Sequence, residues 1–193
     1  MKKIIFRCDS SFAIGSGHLM RCLTLAKALR LKNNNCKFIC RDHPGNLINL
    51  LNQNDIEVIT LPREKNRDNR LLTDHPKLAH SEWLGSSWDI DAQETLNALA
   101  LEQTDYLIVD HYALDYRWET ILRPYVKKIM VIDDLADREH DCDIILDQNI
   151  CANHEIRYKG LISAKCLSLL GPEYAIIRPE FSQLREQSLA RRV

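Results

Sequence analysis

The chain has 193 residues, 45% of them hydrophobic, enough for one domain with a real core, or one domain and a short extension. Lys and Arg number 26 and Asp and Glu 27, and the net charge of −1 gives no electrostatic footprint for nucleic acid or an anionic membrane surface. Seven cysteines at no regular spacing read as reduced thiols, and the apolar start of MKKIIFRC is too short for a signal peptide or membrane span, so the expectation is a soluble, cytoplasmic protein.

Lys3 to Cys8 (KIIFRC) suits a buried first strand. A loop rich in Ser and Gly, Asp9 to Gly17, leads into a helix with an apolar stripe at Leu19, Cys22, Leu23, Ala26 and Leu29; Arg21, Lys27 and Arg30 fall off it. Strands are expected at Lys37 to Arg41 and Glu57 to Leu61, with a short helix at Leu47 to Leu51 between them. From Pro62 to Ile90 the chain turns charged and irregular, an exposed excursion with room for one short helix. Then come a helix at Ala92 to Leu101, a strand at Tyr106 to Asp110, and a helix at Tyr116 to Leu122 closed by Pro124. Strands at Lys128 to Ile132 and Ile144 to Leu146 follow, and the basic segment Leu184 to Arg192 reads as helical. This alternation predicts an α/β fold, a Rossmann-like parallel sheet flanked by helices, with no internal repeat. Ligands collect at the carboxyl ends of such strands, which sends Asp9 to His18, Asp110-His111-Tyr112 and Asp133-Asp134 to one edge.

The most informative stretch is Ile14-Gly15-Ser16-Gly17-His18. Gly15 and Gly17 allow a tight turn that brings backbone N–H groups near a ligand, and the turn opens onto a helix N-terminus, which favours negative charge. It is not G-x-G-x-x-G, because Met20 holds the sixth position, and no Gly-Lys-Ser/Thr makes it a P-loop. His18 lies in the first helical turn, where the dipole disfavours imidazolium, and a neutral ring can take a proton from water as a general base. The competing reading makes Gly-Ser-Gly a cap and His18 a solvent-facing residue. Asp110 is placed to orient His111 or His18, and Tyr112 to donate a hydrogen bond to substrate; equally, Asp110 caps the next helix and the rings pack.

Asp133, Asp134, Asp137, Asp141, Asp143 and Asp147 form an acidic cluster with Arg138 and His140. Asp141-Cys142-Asp143 has the D-x-D form of some cation sites, but solvated, capping or Arg-pairing roles explain these carboxylates better. His140, Cys142 and Cys151 fit no familiar zinc spacing. Ser10 and Ser11 lack the G-x-S-x-G elbow of a serine nucleophile. Arg178 suits a carboxylate or phosphate, or else lies on the surface where the chain leaves the domain. Trp83, Trp88 and Trp118 read as packing residues rather than sugar platforms.

Four segments occur in order: FRCDSSFAIGSGHLMRCLTLAKAL, IVDHYALDYRWE, IDDLADREHDCDIILDQN and LLGPEYAIIRPEF. Over nearly the whole chain they resemble the UDP-2,4-diacetamido-2,4,6-trideoxy-β-L-altropyranose hydrolases of bacterial pseudaminic acid biosynthesis. The resemblance implies a two-domain, GT-B-like architecture related to the N-acetylglucosaminyltransferase of peptidoglycan synthesis. It implies hydrolysis of a UDP-linked 2,4-diacetamido-2,4,6-trideoxy sugar by His-activated water at the anomeric carbon, with inversion. His18 matches the family's general base, Tyr112 the tyrosine of its D-H-Y segment and Arg178 its substrate-contacting arginine. Gly15, Gly17 and Arg21 match the loop and Asp110 the first position of D-H-Y. Neither metal nor cofactor is expected.

Family members continue into a second domain that makes the main UDP contacts. The expected division is therefore 1–180 as a GT-B-like N-terminal domain bearing the catalytic His, 181–193 as an interdomain linker or helix, and a C-terminal nucleotide-binding domain absent from this chain and needed as a partner. The expected small-molecule partners are a UDP-sugar and water, with no nucleic acid and no membrane. Two alternatives stand beside this reading: a GT-B-like UDP-sugar transferase domain, and a catalytically incomplete fragment that needs a partner domain.

Overall fold

The computed structural model describes residues 1–63, 78–99, 103–153 and 156–191. Strand β1 (Lys3–Cys8) alternates its side chains: Ile4, Phe6 and Cys8 enter one apolar core, and Ile5 enters another on the opposite face. A strand covered on both faces belongs to a parallel sheet wrapped by helices. On the first face lies α1 (Gly17–Leu31), whose Leu19, Cys22, Leu23 and Ala26 repeat at helical spacing, beside α2 (Ile48–Asn52), which buries Leu51. On the other lie α3 (Trp88–Leu99) and α4 (Tyr116–Leu122), which bury Ala92, Leu99, Trp118 and Leu122.

The remaining strands are β2 (Asn35–Arg41), β3 (Glu57–Leu61), β4 (Thr104–Asp110), β5 (Val126–Ile132), β6 (Ile144–Asp147) and β7 (Leu167–Leu170). All pairs are parallel, in the order β3-β2-β1-β4-β5-β6-β7. The chain winds outward from β1 to β3, then returns to the other side of β1 to lay down β4. The gap above β1 and β4 is thus the topological switch point, where doubly wound sheets place their ligand crevice. Register fixes its floor: Cys8, the last residue of β1, lies beside Asp110, the last residue of β4.

The structure differs from the sequence reading at a few places. Helix α3 starts at Trp88, ahead of Ala92, and Leu101 lies outside the described residues. The described part of the 62–90 excursion holds one short helix, a 3₁₀ turn at Ser81–Leu84. Strand β7 has no counterpart in the sequence reading, because its LSLL run sits at the sheet edge and buries only its last residue fully. Helix α5 (Pro179–Ala190) begins five residues before Leu184, at a proline, which suits a first helical position; Arg192 lies outside the described residues. Among the described residues no helix is long and apolar enough to cross a membrane.

Candidate active site

The loop after β1 closes on itself before α1 begins. Ser11 Oγ accepts from the N–H groups of Ala13 (3.1 Å) and Ile14 (2.9 Å), and Gly15 N–H donates to Ser11 O at 2.8 Å. Gly15 makes this turn with φ +79°, where any other L-residue is strained. Gly17 has an ordinary φ, but the space where a Cβ would stand is open. Ser16 does not cap α1 with its side chain, and the first turn holds no acidic residue of its own.

His18 follows and leans across the switch point. Its Nδ1 lies 2.5 Å from Asp110 Oδ1, and both residues are buried. Arg21, one turn on, grips the same carboxylate with two bonds, Nε to Oδ2 at 2.6 Å and Nη2 to Oδ1 at 2.7 Å. Burial alone would raise the pKa of Asp110; the hydrogen bonds from Arg21 and His18 and the positive charge of Arg21 outweigh it and hold the group well below the usual carboxylate range. Asp110 is therefore an anion, and an anion only accepts. His18 Nδ1 must carry its proton toward it, which leaves Nε2 as the basic nitrogen. Among the described residues Nε2 has no hydrogen-bond partner.

Of the two roles open to Asp110, the structure selects the orientation of His18. It does not cap α4; Asp115 does, accepting from Arg117 N–H at 3.0 Å. Nor does it hold His111, whose Nε2 lies 3.2 Å from Asp9 Oδ2 while Nδ1 accepts from Ala113 N–H. His43 approaches the same oxygen at 3.4 Å, and neither histidine is aligned for a hydrogen bond with it. Cys22 Sγ sits 3.4 Å from Asp110 Oδ2, but burial pushes its thiol up to about 11, so it stays protonated at neutral pH and is no nucleophile.

Tyr112 packs edge-on against His18 with ring centroids 4.5 Å apart. Its hydroxyl donates to Asp134 Oδ1, a carboxylate that also lies 3.6 Å from Arg21 Nη1. Burial and then the bond to Asp134 raise the Tyr112 pKa, so the phenol keeps its proton. Arg178 does not touch His18. Its guanidinium lies over the Phe181 ring at 4.7 Å, and it lines a cavity of about 320 Å³ together with Gly17, Arg21 and Thr24. That cavity opens beside the start of α1, so Gly17, Arg21 and Arg178 share one wall, and His18, Asp110 and Tyr112 form the adjoining cluster.

The D-x-D carboxylates are already engaged. Asp141 pairs with Arg123 at 3.0 Å, and Asp143 pairs with Arg123 at 2.5 Å and Lys128 at 2.7 Å. They are Arg- and Lys-pairing residues on the structure's edge, away from His18.

No protein-family model matches the chain. The chain is 31% identical over 182 residues to the UDP-2,4-diacetamido-2,4,6-trideoxy-beta-L-altropyranose hydrolase of Campylobacter jejuni subsp. jejuni serotype O:2. That alignment takes in 94% of this chain and 54% of the relative. The chain is a homologue of that hydrolase. It spans about half of the relative's length, and the relative is of the same family that the four ordered segments resemble. Among solved structures, the crystal structure of Acinetobacter baumannii MurG aligns with a TM-score of 0.47 at 12% identity, over 78% of this chain and 42% of that one.

Three residues join the cluster without having been singled out for it. Asp134 receives Tyr112, and His80 and Trp83 bring their rings to within 5.4 and 5.9 Å of Tyr112. Asp134 stood within the acidic cluster with nothing to separate it from its neighbours. His80 and Trp83 lie about thirty residues before D-H-Y in an irregular segment, and no spacing rule links them to it.

Proposed function

We propose that the chain carries the catalytic base of a UDP-sugar hydrolase, and that the substrate is a UDP-linked 2,4-diacetamido-2,4,6-trideoxy sugar. The observation that carries this reading is the His18–Asp110–Arg21 arrangement at the switch point, a histidine whose inner nitrogen is fixed by a buried anion. Homology to the Campylobacter hydrolase supports the choice of reaction and substrate. His18 Nε2 takes a proton from water as the oxygen attacks the anomeric carbon. The bond from that carbon to the diphosphate oxygen breaks, UDP leaves with the electron pair, and the configuration at carbon inverts. Asp110 stabilises the imidazolium that forms, and Arg21 keeps Asp110 ionised and in place. Arg178, beside the backbone N–H groups at the start of α1, is the cation available to the diphosphate, since Arg21 is held by Asp110.

In this reading residues 1–180 form the N-terminal, base-bearing domain, 181–193 lead out of it, and a second domain grips the uridine. A nucleotide-sugar substrate makes this a cytoplasmic enzyme. The test is UDP release from the UDP-sugar by the chain supplied with the second domain of the relative, compared with the His18→Ala variant. General-base loss lowers rates by about 10²–10⁴-fold, so the variant is expected to fall to background. Release at an unchanged rate by His18→Ala removes His18 from the mechanism.

A further inference from the structure

The three tryptophans have separate fates in the fold. Trp118 is fully buried in the core between the sheet and α3/α4, and Trp88 packs against that core. Trp83 belongs to neither apolar core. It stands half-buried in a group of rings around His18. Its indole is 4.4 Å from the His80 ring, 5.9 Å from Tyr112 and 6.4 Å from His18, which it meets at 83°.

The fold holds Trp83 there. Its neighbour Leu84 is buried in the core. Gly85 then turns with φ +72°, and a Cβ on it would come within 2.5 Å of His43 Cε1. The 3₁₀ turn is thus fixed at its end, and what it presents beside His18 is an aromatic surface that packing alone does not require. A half-buried aromatic surface next to a basic histidine is the usual lining of a small-molecule site, where apolar walls take the bulk and a few polar groups set orientation. The cavity with Arg21 and Arg178 is lined by other side chains. That cavity carries Met20, Ile176, Ile177 and Phe181 beside its two arginines, and the rings that face His18 form a separate group.

We propose that Trp83, with His80 and Tyr112, forms the wall that receives the apolar face of the substrate's sugar, its C–H bonds and methyl groups, and so helps set which sugar is accepted. This rests on the hydrolase reading for the identity of the sugar. A trideoxy sugar with two acetamido groups offers three methyl groups, and a methyl in an apolar pocket is worth roughly 10–200-fold in discrimination.

The test follows the three indole N–H signals of the full 193-residue chain by proton–nitrogen NMR, each assigned from its Trp→Phe variant. The chain is titrated separately with the free diacetamido-trideoxy sugar and with UDP, and hydrolysis of the UDP-sugar is followed in parallel with the second domain supplied. The expected result is a shift of the Trp83 signal with the sugar, larger than at Trp88 or Trp118 and not reproduced by UDP. Trp83→Ala should raise KM by about tenfold with a smaller change in kcat, and Trp83→Phe should recover most of it. A Trp83 signal unmoved by millimolar sugar, or moved by UDP alone, overturns the proposal. Hydrolysis with Trp83 unmoved removes the wall and leaves the reaction. A sugar-dependent shift without hydrolysis removes the reaction and leaves the wall.

Discussion

Asp110 decides what His18 can do. A buried carboxylate beside a neutral imidazole is favourable only while its charge is matched, and here Arg21 supplies the counter-charge. Asp110→Asn replaces the anion with an amide that can present N–H to His18 and so stabilise the wrong tautomer. UDP release is expected to fall by about 10²–10⁴-fold, with the sheet intact by circular dichroism. The same change leaves Arg21 with only the longer contact to Asp134 at 3.6 Å and should lower stability by about 3 kcal/mol, read as an earlier urea midpoint. An unchanged rate in this variant contradicts the orienting role. His18 and Tyr112 were legible in the sequence because each sits in a short segment after a strand, and Asp110 because it closes one, where topology alone sends it to the crevice; Arg21, inside α1, was marked only by the family resemblance. The choice between His18 and His111 as the partner of Asp110 was not legible. It depends on which way adjacent residues face at the end of β4, and only the register with β1 settles that. The side-by-side reading of Trp83, Trp88 and Trp118 as packing residues holds for two of them in the core; the surroundings of Trp83 are set by the path of a segment with no periodic signal.

At the scale of elements, α3 is tied to the sheet by charge as well as apolar packing. Asp91, in its first turn, accepts from Arg7 (Nε at 3.2 Å and Nη2 at 2.6 Å), from Arg41 Nη2 at 2.7 Å and from Trp118 Nε1 at 3.0 Å. All four side chains lie inside the fold, and Arg7 and Arg41 project from the ends of β1 and β2. Replacing Asp91 by Ala takes one carboxylate from each of two buried guanidiniums, leaving Arg7 with Asp9 at 2.7 Å and Arg41 with Glu94 at 2.6 Å, and the expected loss is about 3 kcal/mol, measured by chemical denaturation. A loss under about 1 kcal/mol contradicts a fully dry network. Gly85→Ala tests the anchor of the neighbouring turn: a left-handed φ and a contact with His43 should cost about 1–3 kcal/mol and displace the Trp83 indole signal. The helices and strands that the sequence revealed are those with one full apolar stripe or run. Strand β7 escaped because an edge strand buries too little to leave a pattern, and the start of α3 escaped because its first turn, Trp88-Asp89-Ile90-Asp91, alternates apolar and acidic residues and shows no helical stripe.

The whole molecule depends on buried anions, and this fixes its response to acid. Burial works to raise the pKa of Asp9, Asp91, Asp110 and Asp133, but the arginines and histidines around them prevail and each is held below its ordinary value. Folding therefore favours the charged form of all four. Their contribution is complete above the unfolded value of about 4 and is lost as pH falls from there through the depressed folded values. Unfolding midpoints in urea should be nearly constant from neutrality down to about pH 5 and drop steeply below pH 4; a flat profile to pH 3 contradicts the charged network. The doubly wound plan was readable from the strand–helix alternation, because parallel neighbours need helical crossovers. The order of the seven strands was not, since the sequence does not show on which side of β1 the chain returns. That return puts His18 and Asp110 across one crevice. The most direct measurement is a proton NMR time course of the anomeric signal of the UDP-linked diacetamido-trideoxy altrose, mixed with the chain and the second domain of the relative. The predicted result is loss of that signal with first appearance of the free sugar in inverted configuration, absent in His18→Ala. Retained configuration, or an equal rate in His18→Ala, contradicts attack by a water that His18 has deprotonated.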